Sequence, residues 1–333
     1  PGSRRCGCRP GCPVSELLSR LPAEIDAAAA RIAPYVLTTP TTRCLWRSDL
    51  ELLLKCEHLQ HTGSFKLRGA LNRLLLLSDE EKHTGIVAAS TGNHGQGVAL
   101  AAGITGVAAT VYVPEAASPV KLQAMQSMGV TLQTVAGDGL AAELEARTVA
   151  ERDGRIFVSP YNDPLVIAGQ GTVGLELAAQ SNSLDAVFVA AGGGGLISGV
   201  AAALKSVNPD LKVYGCWPEN APTLARCLQA GAISEIPESA TISDGTAGGL
   251  EADAVTFELC QQLIDEQVEV SEVEIGAAMR LLAERERWIV EGAAGVAMAA
   301  MLQRADKLVG QRVAVVLCGR NIDFERFTAA TSL

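Results

Sequence analysis

The sequence VFVAAGGGGL at residues 187–196 combines five apolar residues, four consecutive glycines and the beginning of a second apolar segment. The first apolar run predicts a buried strand, and the segment after the glycines predicts a helix. Backbone N–H groups at the start of such a helix form a ready anion site, because glycines place no side chain in the way. Folding four glycines into one turn also costs considerable conformational entropy. The stretch therefore favours a bound phosphate over a simple tight turn.

Segments of the same kind recur along the chain. Short apolar runs alternate with segments of helical composition from residue 86 to residue 317. This alternation is typical of parallel sheets with right-handed crossovers. We predict an α/β fold with two lobes, in which a small inserted α/β domain spans residues 80–158. The large domain comprises residues 15–79 and 159–333, and residues 1–14 are predicted to be a disordered tail.

Composition and charge limit the classes of function. The net charge of −10 argues against a nucleic-acid or anionic-membrane surface. The long uncharged stretches 88–114 and 186–204 contain turn residues, so they indicate strand–loop–helix units and not membrane spans. Most of the nine cysteines are scattered in apolar stretches, which is typical of reduced thiols in a cytoplasmic protein. Three cysteines of the tail lack a fourth metal ligand nearby: Cys6, Cys8 and Cys12.

A single lysine lies in the stretch TGSFKLRG at residues 62–69. Lys66 follows a Gly-Ser-Phe turn and precedes the predicted start of a helix. A lysine beside the aromatic ring of Phe65, at the mouth of an apolar segment, can be desolvated. Its pKa then falls, and the neutral amine can attack a carbonyl group. The alternative is an ordinary solvated lysine. The choice depends on whether other segments supply a phosphate site and a partner for a pyridine ring.

Two other segments offer polar groups at the ends of predicted strands. The loop STGNH at residues 90–94 can hold a carboxylate, and Asn93 can hydrogen-bond a ring oxygen. The simpler interpretation is a helix N-cap formed by Asn93 or Thr91. The capping role and the ligand-binding role are compatible with each other. Cys318 ends the apolar run 315–317. It is either a small core residue or a thiol that faces a ring nitrogen at the carboxyl end of a strand.

Two further local patterns bear on the fold. Gly169–Gly174 matches the dinucleotide pattern G-x-G-x-x-G, but Asp163-Pro164 interrupts the approach and no acidic residue follows at the ribose position. We therefore interpret this match as accidental and as the start of a helix that lines the cleft. Near the other end of the chain, Pro22 to Ile32 predicts a helix with Pro22 close to its first position.

In their order and spacing, these segments closely resemble the fold-type II pyridoxal-phosphate enzymes, specifically the serine/threonine dehydratase and serine racemase group. The resemblance covers about residues 20–325. It is carried by residues 55–60, 62–69, 90–97, 163–164, 168–172, 192–195, 244–245 and 317–321. It implies a two-lobed fold like that of the tryptophan synthase β subunit, with mostly parallel twisted sheets flanked by helices.

The resemblance implies a site for pyridoxal 5'-phosphate. Lys66 would bind the cofactor covalently and later remove the substrate α-proton, and Phe65 would pack on the ring. Asn93 would bond the 3'-oxygen of the ring, and Cys318 would face the pyridine nitrogen. The phosphate would be held by Gly192, Gly193, Gly194, Gly195 and the Leu196 amide. The substrate carboxylate would be gripped by Ser90, Thr91, Gly92, Asn93 and His94.

The implied activity is an ammonia-lyase, or dehydratase, that eliminates the β-hydroxyl of L-threonine, L-serine or another 3-hydroxy amino acid. A neutral thiol at Cys318 would not keep the pyridine nitrogen protonated, which disfavours a long-lived carbanion relative to prompt loss of the hydroxyl. The alternative is an amino-acid racemase that uses Lys66 and Thr91 on opposite faces. Thr91 stands where such dehydratases often have alanine and racemases have serine. A non-enzymatic protein that binds a phosphate ligand is a further alternative.

The expected partners are a small hydroxy amino acid and a second copy of the chain in a homodimer, with no nucleic acid and no membrane. Some members of the family bind a divalent cation at positions occupied here by Trp217 and Thr223. We therefore expect no metal, since Glu219 alone would not restore that site. His58 and His61 also lack a third ligand nearby.

Overall fold

The computed structural model of this protein describes residues 14–117 and 119–332. Within these residues, ten strands form two sheets. The strands are β1 Thr41–Arg43, β2 Glu51–Lys55, β3 Ile86–Ala89, β4 Ala109–Pro114, β5 Thr131–Val135, β6 Ile156–Phe157, β7 Ala186–Ala190, β8 Lys212–Pro218, β9 Glu266–Val270 and β10 Arg312–Val316.

Helices cover the faces of both sheets. The α-helices of the described residues are α1 Val14–Ile32, α2 Lys66–Leu75, α3 Asp79–Thr84, α4 Asn93–Thr105, α5 Pro119–Ser127, α6 Gly139–Asp153, α7 Pro164–Gln180, α8 Gly195–Val207, α9 Thr223–Ala230, α10 Val255–Leu263, α11 Glu272–Arg285, α12 Gly292–Arg304 and α13 Phe324–Thr331. Between α9 and α10 the chain runs without regular structure.

The larger sheet has the strand order β1-β2-β10-β7-β8-β9. Only β1 pairs antiparallel, against β2, and the remaining pairs are parallel. All five residues of β7 are buried, as expected for a parallel strand with helices on both faces. Because β2, β10 and β7 are neighbours with the same direction, the segments that follow them emerge at one edge of the sheet.

The smaller sheet has the order β5-β4-β3-β6, and all its pairs are parallel. Its strands lie between residues 86 and 157 and pack against α4 and α6, and α4 in turn packs against α2. The central strand β3 ends at Ala89, directly before the STGNH loop. The four strands fall within the segment 80–158, although the exact domain boundaries stay a prediction.

The first helix begins earlier than predicted. Helix α1 starts at Val14 and continues through Pro22, so the expectation that Pro22 lies near its first position is wrong. A proline inside a helix removes one backbone hydrogen bond. The helix continues because one apolar stripe is buried on both sides of the proline, formed by Leu17, Leu21, Ile25, Ala28 and Ile32. The predicted tail lies outside the described residues, except that Val14 belongs to this helix.

Helix α7 corrects a second expectation. It begins at Pro164, with the Asp163 carboxylate accepting a hydrogen bond from the Leu165 N–H at 2.8 Å. The segment Gly169–Gly174 therefore lies in the middle of the helix and not at its start. A Cβ atom on Gly169 would lie 2.6 Å from the Arg68 carbonyl oxygen, and one on Gly174 would lie 2.8 Å from the Val200 carbonyl oxygen. The glycines thus allow α2 and α8 to approach the α7 backbone.

A buried group of charges anchors α2. The guanidinium of Arg68 is fully buried and donates to Glu57 and to Glu176 at 2.6–2.9 Å. Lys55 Nζ also donates to Glu176, at 2.6 Å. Burial by itself opposes the ionisation of Glu57, but the adjacent Arg68 outweighs it and lowers the pKa of that carboxyl. These ion pairs tie the helix that begins at Lys66 to β2 and α7.

Candidate active site

Four segments meet between the two sheets, each just after a strand. Lys66 follows β2 after two short 3-10 turns, the glycine turn (residues 192–195) follows β7, and Cys318 follows β10. The STGNH loop follows β3 of the smaller sheet. A Cβ atom on Gly97 of α4 would lie 3.0 Å from the backbone of Lys66, so the smaller lobe packs directly on the lysine segment.

Lys66 is the first residue of α2, and its side chain is half-buried. Its Nζ donates to the carbonyl oxygen of Pro160 at 2.9 Å and lies 5.3 Å from the centre of the Phe65 ring. Removal from water lowers the pKa of the amine to about 8, although Cys318 and Glu291 act in the opposite direction. A substantial fraction of the amine is therefore neutral and nucleophilic near pH 8.

The turn before Lys66 is held against the Cys318 segment. Thr62 and Gly63 both have left-handed backbone conformations, with φ of 65° and 74°. A non-glycine residue in this region stores conformational strain, which is common at functional sites. The Phe65 N–H donates to the Cys318 carbonyl oxygen at 3.2 Å. These contacts place the lysine and the thiol on adjoining backbone segments.

The glycine turn ends where α8 begins. Gly194 has φ of 86° and occupies the N-cap position, so the N–H groups of Gly195 and Leu196 have no acceptor within the helix. A Cβ atom on Gly193 would lie 2.3 Å from the Tyr161 ring, and one on Gly192 would lie 3.0 Å from the Thr246 backbone. Free N–H groups at a helix start, with no side chain in front of them, can hold an anion.

The STGNH loop forms the start of α4. The N-cap residue is Gly92, and no side chain caps the helix, so the expectation of Asn93 or Thr91 as cap is wrong. The Gly92 N–H instead donates to Ser90 Oγ at 3.1 Å. A Cβ atom on Gly92 would meet nothing within 4 Å, so this side of the loop is open. The half-buried Thr91 lies beside this opening.

The side chain of His94 turns away from the loop opening. Its Nε2 hydrogen-bonds the Val158 carbonyl oxygen at 2.8 Å, and the residue is buried. Burial, followed by the nearby Lys66 charge, lowers the pKa of the imidazole to about 3. The neutral ring donates to Val158, so only the backbone N–H of His94 is available for a substrate carboxylate.

Cys318 lies in the buried end of the sheet. Burial, followed by the charge of Glu291, raises the pKa of the thiol well above its usual value. A Cβ atom on Gly319 would lie 2.4 Å from Glu291 Oε1, so the carboxylate presses against this segment. The thiol is therefore neutral and can accept or donate only weakly.

Two contributors to the site were not expected from the sequence. The Pro160 carbonyl holds Lys66, but any residue carries a carbonyl, so the sequence contains no signal for it. Glu291 accepts from Asn93 Nδ2 at 2.8 and 3.0 Å. The only sequence signal for Glu291 is its position directly before the small-residue start of α12.

These donors fit pyridoxal phosphate by their chemistry. A desolvated amine suits the aldehyde, the free N–H groups after Gly194 suit the phosphate, and a neutral thiol suits the pyridine nitrogen. Within residues 14–117 and 119–332, no group of three or more His, Cys, Asp or Glu side chains could hold a metal ion. At the two positions discussed above, Trp217 is fully buried and Thr223 donates to Glu238.

The fold and the site define an enzyme that binds pyridoxal phosphate on two α/β lobes of fold-type II. A family model described as "Pyridoxal-phosphate dependent enzyme" matches residues 32–319, and the chain belongs to this family. The predicted α/β fold, family and cofactor are thereby confirmed.

Three known proteins show which members of the family are similar. The chain is 44% identical to the L-threonine ammonia-lyase of Thermotoga maritima over 273 residues, which cover 82% of this chain and 68% of that protein. The processed form of threonine deaminase isoform 2 from Solanum lycopersicum superposes with a TM-score of 0.90 at 32% identity, covering 98% and 95% of the two chains. Serine racemase from Dictyostelium discoideum superposes with a TM-score of 0.84 at 36% identity, covering 91% and 98%.

Proposed function

We propose that this protein is an ammonia-lyase that uses pyridoxal phosphate to remove the β-hydroxyl of L-threonine, L-serine or another 3-hydroxy amino acid. The observation that carries the proposal is the desolvated amine of Lys66, with its pKa lowered to about 8, at the meeting point of the four segments. Similarity to a threonine ammonia-lyase supports the reaction and the class of substrate. The products are a 2-oxo acid and ammonia.

The proposed roles follow from the positions of the side chains. When bound, pyridoxal phosphate supplies the electron sink for the pair of electrons left at the substrate α-carbon. Lys66 takes the α-proton as a neutral amine, and the bond from the β-carbon to the hydroxyl oxygen then breaks. The hydroxyl leaves as water after it takes up one proton. The unsaturated amino acid that remains takes up water and decomposes to the 2-oxo acid and ammonia.

The remaining roles concern binding. The glycine turn and the Leu196 N–H would hold the phosphate, and the N–H groups that begin α4 would hold the substrate carboxylate. Phe65 would pack on the ring, and Asn93 would bond the ring oxygen. The neutral thiol of Cys318 would face the pyridine nitrogen without protonating it, which favours prompt loss of the hydroxyl.

The decisive experiment compares wild-type protein with Lys66→Ala. A panel of 3-hydroxy amino acids is supplied, and the release of 2-oxo acid and ammonia is measured together with the visible absorbance of bound cofactor. We expect Lys66→Ala to lose the covalent absorbance band and to reduce turnover by more than about 1,000-fold. Lys82→Ala, on the exposed helix α3, is the matched control and should change neither quantity. Turnover retained in Lys66→Ala would contradict the proposal.

An amino-acid racemase is the second candidate. The half-buried Thr91, next to the open side of Gly92, supports this candidate, and so does the similarity to a serine racemase. The test supplies L-serine and measures pyruvate against D-serine. D-serine that forms faster than pyruvate would make the racemase the main activity. Thr91→Ala should then abolish D-serine formation and leave elimination within about threefold.

We also infer the assembly and location of the protein. A homodimer in the cytoplasm is proposed, with a small hydroxy amino acid as the other partner. Six cysteines of the described residues are buried free thiols, which supports a reducing compartment: Cys44, Cys56, Cys216, Cys227, Cys260 and Cys318. Among those residues, no helix is both long and apolar enough to cross a membrane. Light scattering of the purified holoenzyme gives the mass of the assembly, and a monomer would contradict the dimer.

The division into domains is part of the proposal. We infer a small domain of residues 80–158 and a large domain of residues 15–79 with 159–333. The four strands of the smaller sheet lie within this segment and support the division, although their buried core, which includes Ile86 and Val111, also contains residues of α2. Limited proteolysis should cut near the ends of the segment 80–158 and leave its interior intact. Cleavage spread evenly through that segment would contradict the boundaries.

A further inference from the structure

Glu291 lies where the STGNH loop and the Cys318 segment meet, and the residue is only 5% exposed. Its carboxylate accepts from Asn93 Nδ2 at 2.8 and 3.0 Å and from the Asn321 backbone N–H at 3.1 Å. Its own N–H donates to the Gly319 carbonyl oxygen at 3.1 Å. The carboxylate is thus held by both segments at once.

The hydrogen bonds around Asn93 have a fixed direction. Asn321 Nδ2 donates to the Thr62 carbonyl oxygen at 2.7 Å, which identifies this end of the Asn321 side chain as the nitrogen. The same nitrogen donates to Asn93 Oδ1 at 2.6 Å. The Asn93 nitrogen must then face Glu291, whose side-chain oxygens accept from it. The orientation of the Asn93 amide is set from both ends.

The titratable groups around Glu291 come from three directions. Lys66 at the start of α2 and Cys318 after β10 both interact with its charge, which raises the pKa of each. The loop between α9 and α10 also packs nearby, since a Cβ atom on Gly245 would lie 3.8 Å from Glu291 Oε1. Asp244 in that loop pairs with Arg326 at 2.8 Å. Of the carboxylates in this region, Glu291 is the one that accepts hydrogen bonds from Asn93.

We propose that Glu291 is a positioning residue, which orients the Asn93 amide and holds a negative charge beside Lys66. The proposal rests on the proposed function for the identity of the cofactor, but its tests need no substrate. A negative charge stabilises the protonated form of nearby groups. Glu291 should therefore keep the lysine nitrogen protonated to a higher pH and fix the Asn93 amide by accepting one of its two N–H groups, which leaves the other for the ring oxygen.

The first test uses cofactor-loaded protein without substrate and follows its absorption spectrum against pH. Glu291→Gln keeps the size of the side chain but removes the charge, so the midpoint of the spectral transition should fall by about one pH unit. The dissociation constant for the cofactor should rise several-fold. Glu291→Asp keeps the charge and should move the midpoint by less than half as much. The matched control is Glu286→Gln, a carboxylate that accepts from Trp46 at 2.7 Å, and it should not move the midpoint.

The second test uses cofactor-free protein. The rate at which an amine-reactive acetylating reagent modifies Lys66 is measured against pH by mass spectrometry. The wild-type midpoint should lie near 8, and Glu291→Gln should lower it by about one unit. Unchanged midpoints in Glu291→Gln in both tests, or equal shifts in Glu291→Gln and Glu291→Asp, would overturn the proposal.

The two proposals fail in distinguishable ways. If the midpoints shift as expected but no hydroxy amino acid yields a 2-oxo acid, the proposed reaction fails and the role of Glu291 stands. If the protein binds no pyridoxal phosphate, the acetylation midpoint decides the role of Glu291 alone. Unfolding midpoints in urea, measured for each variant, separate loss of the fold from a change in the site.

Discussion

Two glycine-rich segments of this chain, Gly169–Gly174 and Gly192–Gly195, use the absence of a side chain for different purposes. The first lies inside α7, where its glycines face the backbones of α2 and α8. The second lies in the turn before α8, where Gly194 adopts φ of 86°. One segment brings helices together, and the other ends in backbone N–H groups that have no acceptor within the helix.

The comparison teaches that a glycine pattern has no meaning apart from its position in an element. Gly169–Gly174 matches a dinucleotide-binding pattern, yet every residue of it lies within a helix whose N–H groups are already bonded. The glycine turn matches no such pattern, yet it leaves the N–H groups of Gly195 and Leu196 unbonded by the helix. Availability of the backbone, and not the spacing of glycines, decides whether a phosphate can bind.

The largest expected effect is the loss in the free energy of unfolding when a glycine of the first segment is replaced by alanine. A Cβ atom in Gly174→Ala would lie 2.8 Å from the Val200 carbonyl oxygen and 2.9 Å from the Ala203 Cβ, so α7 and α8 must move apart. We expect a loss of about 3 kcal/mol in the free energy of unfolding, measured by urea denaturation. Cofactor affinity of the folded protein should change by less than about threefold.

Gly139→Ala provides the control for this substitution. Gly139 begins α6, and a Cβ atom there would meet nothing within 4 Å. The change in unfolding free energy should stay within about 0.5 kcal/mol. If Gly174→Ala were as stable as Gly139→Ala, the close approach of the helices would not explain the glycine.

The next effect is on cofactor affinity. In Gly194→Ala the left-handed conformation becomes costly, and a Cβ atom would lie 2.9 Å from Cys260 Sγ. The turn must change shape, and we expect the dissociation constant for pyridoxal phosphate to rise roughly thirtyfold, which corresponds to about 2 kcal/mol. Fluorescence titration of the cofactor-free protein measures this constant.

Gly231→Ala isolates the backbone cost. Gly231 also has a left-handed conformation, with φ of 73°, and a Cβ atom there would meet nothing within 4 Å. This variant should lose about 1 kcal/mol of stability but retain wild-type cofactor affinity. Equal affinities of the Gly194 and Gly231 variants would remove the glycine turn from the cofactor site.

The smallest expected effect is the dependence of the rate of cofactor capture on pH. In the proposed function, capture of the cofactor requires the neutral amine of Lys66, whose pKa is lowered to about 8. The rate of capture should rise about tenfold per pH unit below that value and become level above it. Stopped-flow absorbance after mixing cofactor-free protein with pyridoxal phosphate measures this profile. A midpoint near 10.5, the ordinary value for lysine, would show that the amine is solvated.

The sequence permitted much of the fold to be predicted, because apolar strands in parallel sheets are short, continuous and easily recognised. The range 86–317, over which apolar runs were predicted to alternate with helices, begins with β3 at Ile86 and ends one residue after β10, which closes at Val316. Strand β9 was missed because Glu266–Val270 lies at the edge of the sheet and contains only two apolar residues, so it lacks the continuous apolar run of the buried strands. The start of α1 was missed because the buried stripe that carries it past Pro22 depends on tertiary packing.

The candidate site could be proposed from the sequence where its chemistry depends on residue type. Lys66, the glycine turn and Cys318 were predicted from an amine, a run of glycines and a thiol, and each lies after a strand of the larger sheet. The direction of the His94 ring and the contact between Lys66 and Pro160 were not, because both depend on carbonyl groups that every residue has. The glutamate that contacts Asn93 lies 198 residues away in the chain, so only the fold brings them together.

The buried charges around Arg68 have a consequence for how this sequence can vary. Arg68 lies on the helix that begins with Lys66, and it balances Glu57 in a region with no access to water. Loss of Arg68 leaves the fully buried Glu57 without its ion-pair partner, which costs about 3–5 kcal/mol, whereas joint replacement of the two by apolar residues is often tolerated. The two positions should therefore be inherited as a pair. A designer who wishes to transplant the lysine helix into another scaffold must carry Glu57 with it.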